Sequence, residues 1–120
     1  MATVMVADGL ITIEFGPWER LFAGRARHTI PLTAVRRVAA TDRPLRVPRG
    51  ARRGLTVSGH TKIGVWGLYG GPRQLVSVNR NLPGLHLLLD RASSGGEFDE
   101  VVVSVSNVDH LVQVIGAVVV

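Results

Sequence analysis

The strongest functional signal in the sequence is a concentration of arginines between residues 43 and 53. This segment reads RPLRVPRGARR and contains no acidic residue after Asp42. Guanidinium groups crowded into one loop raise the local positive potential and attract phosphate head groups, nucleic acid or acidic proteins. A solvated flexible loop without any ligand explains the same pattern at least as well. The arginines concerned are Arg43, Arg46, Arg49, Arg52 and Arg53.

Arginine is also abundant upstream of this loop. Residues 20–53 hold ten arginines against one acidic residue, whereas the rest of the chain holds four basic residues against eight acidic ones. We therefore extend the candidate anion-binding set to Arg20, Arg25 and Arg27. Anionic lipid is one ligand for such a set. Nucleic acid is less favoured, because no aromatic residue that could stack on a base lies between Phe22 and Trp66.

Residues that could perform catalysis or bind a metal ion do not form a known motif. The four histidines are His28, His60, His86 and His110. No two of them stand at i and i+4 on a predicted helix, and none has a carboxylate at metal-ligand spacing. Ser58, His60 and Asp42 are the residue types of a hydrolase triad, but no Gly-x-Ser-x-Gly motif accompanies them. We predict no catalytic residue, no metal site and no cofactor, and we do not expect an enzyme.

The pattern of residues 101–118 predicts a strand followed by a helix, and this pair of elements organises the predicted fold. Residues 101–106 alternate as a strand, with Val101, Val103 and Val105 on one face. Asn107 is a candidate helix N-cap, since its side-chain oxygen can accept a hydrogen bond from the first helical turn. The next apolar residues recur with helical spacing, at Val108, Leu111, Val112, Ile115 and Val118. This pattern predicts one C-terminal helix that covers one end of a curled sheet.

The rest of the chain reads as short strands separated by turns. Residues 32–35 have the spacing of a single helical turn, and residues 42–54 have no period and are predicted as a long basic loop. Glycines at 64, 67 and 70 indicate bends or close backbone approach. Seven strands are predicted, at 9–15, 18–30, 35–41, 63–69, 74–79, 85–90 and 101–106, with shorter candidates at 3–6 and 55–57.

The order of these elements resembles the bacterial pleckstrin-homology-like (PH-like) domains. The resemblance rests on the GLITIEF opening strand, the Ile30-Pro31-Leu32 step into Val35–Val38, the IGVWGLYGG segment and the closing VVVSVSNVDHLVQVI. It implies a mainly β fold, a PH-like seven-stranded, bent antiparallel barrel capped by one C-terminal α-helix, in a single domain over residues 1–120. It also implies binding of lipids, peptides or proteins without catalysis. Lipid-binding members carry Lys/Arg-x-Arg on the first two strands, and Arg25-Ala26-Arg27 has that form, on the second strand only, with Arg20 nearby.

Composition indicates the compartment in which the protein would work. The chain has 120 residues, a net charge of +5 and no cysteine, so disulfides and thiolate metal sites are excluded. The first residues lack the pattern of a signal peptide, and no apolar run is long enough to span a bilayer. We expect a cytoplasmic protein, with peripheral contact to a membrane as an alternative.

Two functions follow from these observations, and a third is less favoured. The first is a non-catalytic PH-like interaction module that binds a protein partner or forms a homo-oligomer. The second is a binder of anionic surfaces, phospholipid head groups or nucleic acid, through the arginine-rich loop 43–53. A small enzyme or ligand-carrying barrel comes last, because no acid, base or nucleophile pair is evident.

Overall fold

A computed structural model describes residues 2–93 and 95–118 of the chain, and these residues form a mainly β structure. The strands are β1 (Thr3–Ala7), β2 (Leu10–Glu14), β3 (Arg27–Pro31), β4 (Val35–Thr41), β5 (Arg52–Val57), β6 (Thr61–Trp66), β7 (Gln74–Asn79), β8 (Gly84–Leu89) and β9 (Glu100–Ser104). The helices are α1 (Pro17–Ala23) and α2 (Val108–Gly116), and 3₁₀ turns occupy Leu32–Ala34 and Pro44–Arg46.

The described strands are arranged in two sheets. One is a three-stranded antiparallel sheet with the order β1-β2-β3, and the other has six strands in the order β4-β8-β9-β7-β6-β5. Strand β9 lies parallel to β7 and antiparallel to β8. Its sequence, EVVVS, is buried at every residue, as expected for a central strand that is covered on both faces.

The main hydrophobic core lies between the two sheets. The three-stranded sheet contributes Ile11, Ile13 and Ile30, all fully buried. The facing side chains of the six-stranded sheet alternate with residues that point away from the core. The core-facing side chains of this sheet include Leu75, Leu85, Leu87, Val101 and Val103.

The predicted C-terminal helix is confirmed, and packing holds it in place. Val108, Leu111 and Ile115 of α2 are buried in the main core, and each contributes roughly 1.5–3 kcal/mol through burial. Asn107 occupies the N-cap position, but its side chain makes no capping hydrogen bond. Val118, predicted on the buried face, is 51% exposed.

The predicted strand over residues 18–30 is wrong in its first half, because residues 17–23 form α1. Three local features start and stop this helix. Pro17 stands at its beginning, Glu19 accepts a hydrogen bond from the Gly16 N–H, and Gly24 ends it with φ of 75°. Arg25 therefore lies in the turn after α1 rather than in a strand beside Arg27.

The six-stranded sheet and the three-stranded sheet do not close into one barrel within the described residues. The mainly β class and the C-terminal helix are as predicted, whereas a closed seven-stranded barrel is not what the strand pairing shows. The helical turn predicted near residue 32 is confirmed as Leu32–Ala34. The predicted loop 42–54 is more ordered than expected, since it contains the turn Pro44–Arg46 and the start of β5 at Arg52.

Candidate functional site

The six-stranded sheet has an outer face, which is the side turned away from the main core. Along β7 this face carries Gln74, Val76 and Val78, all buried. Leu45 and Val47 of the arginine-rich loop pack against a small apolar cluster on it. The cluster consists of Trp66, Val76, Val78 and Val102. The loop therefore covers the outer face instead of extending into solvent.

Polar contacts hold the loop in the same position. The Lys62 ammonium donates a hydrogen bond to the backbone carbonyl of Leu45 over 2.8 Å. Gly84 leaves room for Pro44, since a Cβ added at residue 84 would lie 2.8 Å from the Pro44 Cβ. The loop is a docked segment whose backbone is positioned by the sheet below it.

Glu100 anchors the loop electrostatically. Its carboxylate is buried and accepts hydrogen bonds from Arg49 Nη2 over 2.6 Å and from Gln74 Nε2 over 3.1 Å. His86 Nε2 lies 2.9 Å from the same carboxylate. Gln74 also bonds the loop directly, because its Oε1 accepts from the Arg49 backbone N–H over 2.9 Å and its Nε2 donates to the Val47 carbonyl over 3.0 Å.

The charge state of Glu100 follows from these contacts. Burial by itself would raise the pKa of this carboxyl group, but the hydrogen bonds from His86, Gln74 and Arg49 outweigh burial, and the pKa is lowered. Glu100 is therefore ionised at neutral pH, and its negative charge is paired with the positive charge of Arg49.

The structure does not bring the eight predicted arginines together. Arg49 pairs with Glu100, Arg25 pairs with Glu97 over 2.9 Å, and Arg20 Nε donates to the Phe15 carbonyl over 3.0 Å. The remaining five are exposed at separate places. Arg27 lies 4.0 Å from Glu14, Arg52 and Arg53 lie on β5, and Arg43 and Arg46 line a cleft of about 410 Å³ together with Arg80.

Arg25 belongs to a second buried cluster, between β3 and the segment that precedes β9. The Arg25 guanidinium lies 4.9 Å from the ring centre of buried Phe98, and His28 meets the same ring edge-on at 5.2 Å. Arg25 Nη1 lies 3.2 Å from His28 Nδ1. Because a guanidinium can only donate, Nδ1 is the acceptor and the neutral ring carries its proton on Nε2.

This cluster makes stability depend on pH. Burial, then the charge of Arg25, lowers the pKa of His28 from its ordinary 6.5, and Glu97 opposes the change. The unfolded chain therefore binds a proton near pH 6.5 while the folded protein still excludes it. The free energy of unfolding should fall as the pH drops from 6.5 toward the lowered pKa.

Urea unfolding at about pH 7.5 and about pH 5.5 measures this effect. His28→Gln should remove this part of the pH dependence, whereas His60→Gln, at an exposed turn position, should leave it unchanged. If the free energy of unfolding changed equally with pH in wild type and His28→Gln, His28 would not be the source of the pH dependence. The lowered pKa values of Glu97, Asp99 and Glu100 add a further loss of stability only below their ordinary values of 4.5, 3.8 and 4.5.

A buried pair of a carboxylate and a hydroxyl group lies on the side of the six-stranded sheet that faces the main core. The Ser77 hydroxyl donates to the Glu19 carboxylate, which also accepts from the Gly16 N–H. The two residues line a cavity of about 210 Å³. No group of three or more histidine, cysteine or acidic residues that could hold a metal ion occurs among the described residues. The Glu19–Ser77 contact ties α1 to β7.

Two surface features were not found from the sequence. The first is an apolar face on α1, where Trp18 and Leu21 are 75% and 74% exposed. Residues three apart share a face in a helix but not in a strand, so the predicted strand did not place Trp18 and Leu21 on one surface. The second is a groove of about 740 Å³ beside the start of β4, lined by residues that include Arg36, Arg37 and Arg91. The Arg36-Arg37 pair was a possible signal, because two consecutive charged residues interrupt the alternation of a strand.

The chain matches no protein-family model and no curated protein, and its structure matches no solved structure. Across the described residues, the helices are too short or too polar to cross a bilayer. Functional inference therefore rests on the surfaces described above.

Proposed function

We propose that this protein is a non-catalytic interaction module that binds another protein through the exposed face of α1. The observation that carries the proposal is the exposure of Trp18 and Leu21, one helical turn apart. Tryptophan anchors contribute strongly to protein interfaces, because a large apolar area is removed from water with little loss of side-chain entropy.

The edge strand of the six-stranded sheet that contacts α1 is a second candidate contact for the same partner. Strand β5 ends the sheet and packs beside α1, and Val57 on it is 45% exposed. An edge strand has backbone N–H and C=O groups that a strand from a partner can pair with. Arg52 and Arg53 on the same strand favour a partner segment with acidic side chains.

A second copy of the chain is the first partner to consider. Asp8 is an exposed acidic residue in the turn between β1 and β2, and it could face the arginines of β5 in another copy. The PH-like resemblance supports self-association as well, since bacterial members of that class are often oligomeric.

The PH-like assignment is part of the same proposal. A C-terminal helix that packs against strands of both sheets supports it, since α2 contacts β1, β4 and β8. The parallel pairing of β7 with β9 and the two separate sheets differ from a seven-stranded antiparallel barrel. The function proposed for α1 does not depend on this family assignment.

Replacing Trp18 and Leu21 with alanine should weaken self-association by roughly 10- to 100-fold, because large apolar anchors lost from an interface cost about 1.4–3 kcal/mol. Sedimentation over a wide concentration range measures the dissociation constant. Tyr69→Ala is the matched control, since Tyr69 is 91% exposed but lies in the loop between β6 and β7 and not on α1. A wild-type protein that stays monomeric at high concentration would remove the homo-oligomer from the proposal.

Binding to anionic surfaces is the second candidate function. It is supported by Arg43 and Arg46, which line the same cleft as Arg80 and are not used by the Glu100 cluster. Arg49 no longer belongs to this set, because its charge is paired with Glu100. Membrane attachment through this cleft would place the protein at the periphery of a bilayer.

A further inference from the structure

A β-bulge near the start of β4 places two consecutive arginines beside one groove. Val35 pairs with Leu89 and Arg37 pairs with Leu88, so Arg36 is an extra residue with no partner in β8. In a regular strand the side chains of neighbouring residues point to opposite faces, and a bulge changes this alternation. Both Arg36 and Arg37 line the groove of about 740 Å³.

Neither arginine of this pair has an ion-pair partner among the described residues. Both Arg36 and Arg37 are exposed. The acidic residues that line the groove are already engaged. Asp99 accepts hydrogen bonds from the Arg91 guanidinium and, over 2.9 Å, from the Arg73 N–H, and Glu100 is held by Arg49 and His86.

The engaged acids also restrict the kind of anion that fits. A long polyanion such as nucleic acid would have to pass the carboxylates of Asp99 and Glu100, whereas a compact anion can stay beside the two arginines. Guanidinium groups bind phosphate through paired hydrogen bonds, and two of them match a doubly charged group. Leu88 and Pro72 on the groove wall can contact an uncharged remainder of the ligand.

We propose that this groove binds a phosphomonoester, with Arg36 and Arg37 holding the phosphate dianion. The phosphate belongs either to a soluble metabolite or to a lipid head group, since both present the same chemistry. This site is separate from the protein contact proposed for α1 and from the cleft at Arg43 and Arg46.

Glycerol 3-phosphate and phosphatidic acid vesicles are matched probes, because the lipid carries the same phosphomonoester on glycerol. Calorimetric titration at low salt measures binding of glycerol 3-phosphate. Sedimentation with phosphatidylcholine vesicles, with and without phosphatidic acid, measures binding to the lipid. Saturable binding to either probe is expected. The soluble probe alone assigns a metabolite, and vesicles alone assign a membrane ligand.

The variant Arg36→Gln/Arg37→Gln should weaken the measured binding at least about tenfold, because both charge-assisted contacts to the phosphate are lost. Arg52→Gln/Arg53→Gln removes the same charge from β5, at the opposite edge of the six-stranded sheet, and should retain binding within about twofold. Arg36→Lys/Arg37→Lys keeps the charge without the planar fork and should give an intermediate affinity. Thermal unfolding checks that all three variants are folded.

Two results would overturn the phosphate site. One is the absence of saturable binding to both probes, and the other is an equal loss in the two glutamine variants, which would indicate a general charge effect. Self-association of Arg36→Gln/Arg37→Gln should equal that of wild type. The phosphate site and the α1 contact can therefore fail independently.

Discussion

Replacing Gly64 by alanine should destabilise the protein by roughly 2–6 kcal/mol, the largest single effect that we expect. Gly64 in β6 pairs with Gly54 in β5, and the two backbones approach closely at this point. A Cβ added at Gly64 would lie 2.3 Å from the Arg53 carbonyl oxygen and 2.8 Å from the Gly54 Cα. Backbone atoms cannot rotate away as a side chain can. Strain at φ of 146° and the steric overlap each cost about 1–3 kcal/mol.

Gly70→Ala is a matched control for this prediction. Its φ of 144° is nearly that of Gly64, but an added Cβ meets no described atom within 4 Å. The control therefore carries the backbone strain without the steric overlap, and it should cost about 1–3 kcal/mol. Urea unfolding of both variants measures the difference. Equal losses in the two variants would show that the close approach of β5 and β6 is not present in solution.

Replacing Glu100 by glutamine should release the arginine-rich loop from the outer face of the six-stranded sheet. The substitution keeps the shape of the side chain but removes the charge that pairs with Arg49, and one carbonyl oxygen replaces two carboxylate oxygens as acceptor. The lost charge-assisted hydrogen bonds should cost about 2–3 kcal/mol. The effect is smaller than for a fully buried ion pair, because the Arg49 side chain is 55% exposed and regains water.

Limited proteolysis with trypsin measures how often the arginine-rich loop is released from the sheet. The bonds after Arg46 and Arg49 should be cut at least about tenfold faster in Glu100→Gln, since loss of about 1.4 kcal/mol of docking energy opens the loop ten times more often. Glu97→Gln is the control, because it removes an exposed carboxylate that pairs with Arg25 and does not touch the loop. Unchanged cleavage at both bonds would contradict the anchoring role of Glu100.

Local sequence patterns predicted the elements that have a clear period. The apolar spacing from Val108 to Ile115 predicted α2, and alternation predicted β2, β7 and β8 within one or two residues. The pattern of Trp18 to Ala23 was misinterpreted, because a seven-residue helix is too short for its period to stand out from alternation. Its proline, glutamate and glycine boundary signals were present in the sequence.

The candidate sites could not be predicted in the same way, because their partners are distant in sequence. Arg49 and Glu100 are 51 residues apart, Glu19 and Ser77 are 58 apart, and Arg25 and Glu97 are 72 apart. The arginine-rich loop was recognised as a strong positive charge, but nothing local showed that Arg49 would be neutralised. Arg36 and Arg37 were recognised as strand residues, and only the register with β8 shows the bulge beside them.

Periodicity and composition were enough to predict a mainly β chain, an amphipathic helix near the C-terminus and a concentration of arginine in residues 20–53. Which arginines form ion pairs within the protein and which have no such partner followed only from the three-dimensional arrangement of the described residues. This difference arises because side-chain periodicity indicates only which face of one element is buried. The order and register of strands depend instead on contacts between segments far apart, and these contacts select the partner of each charge.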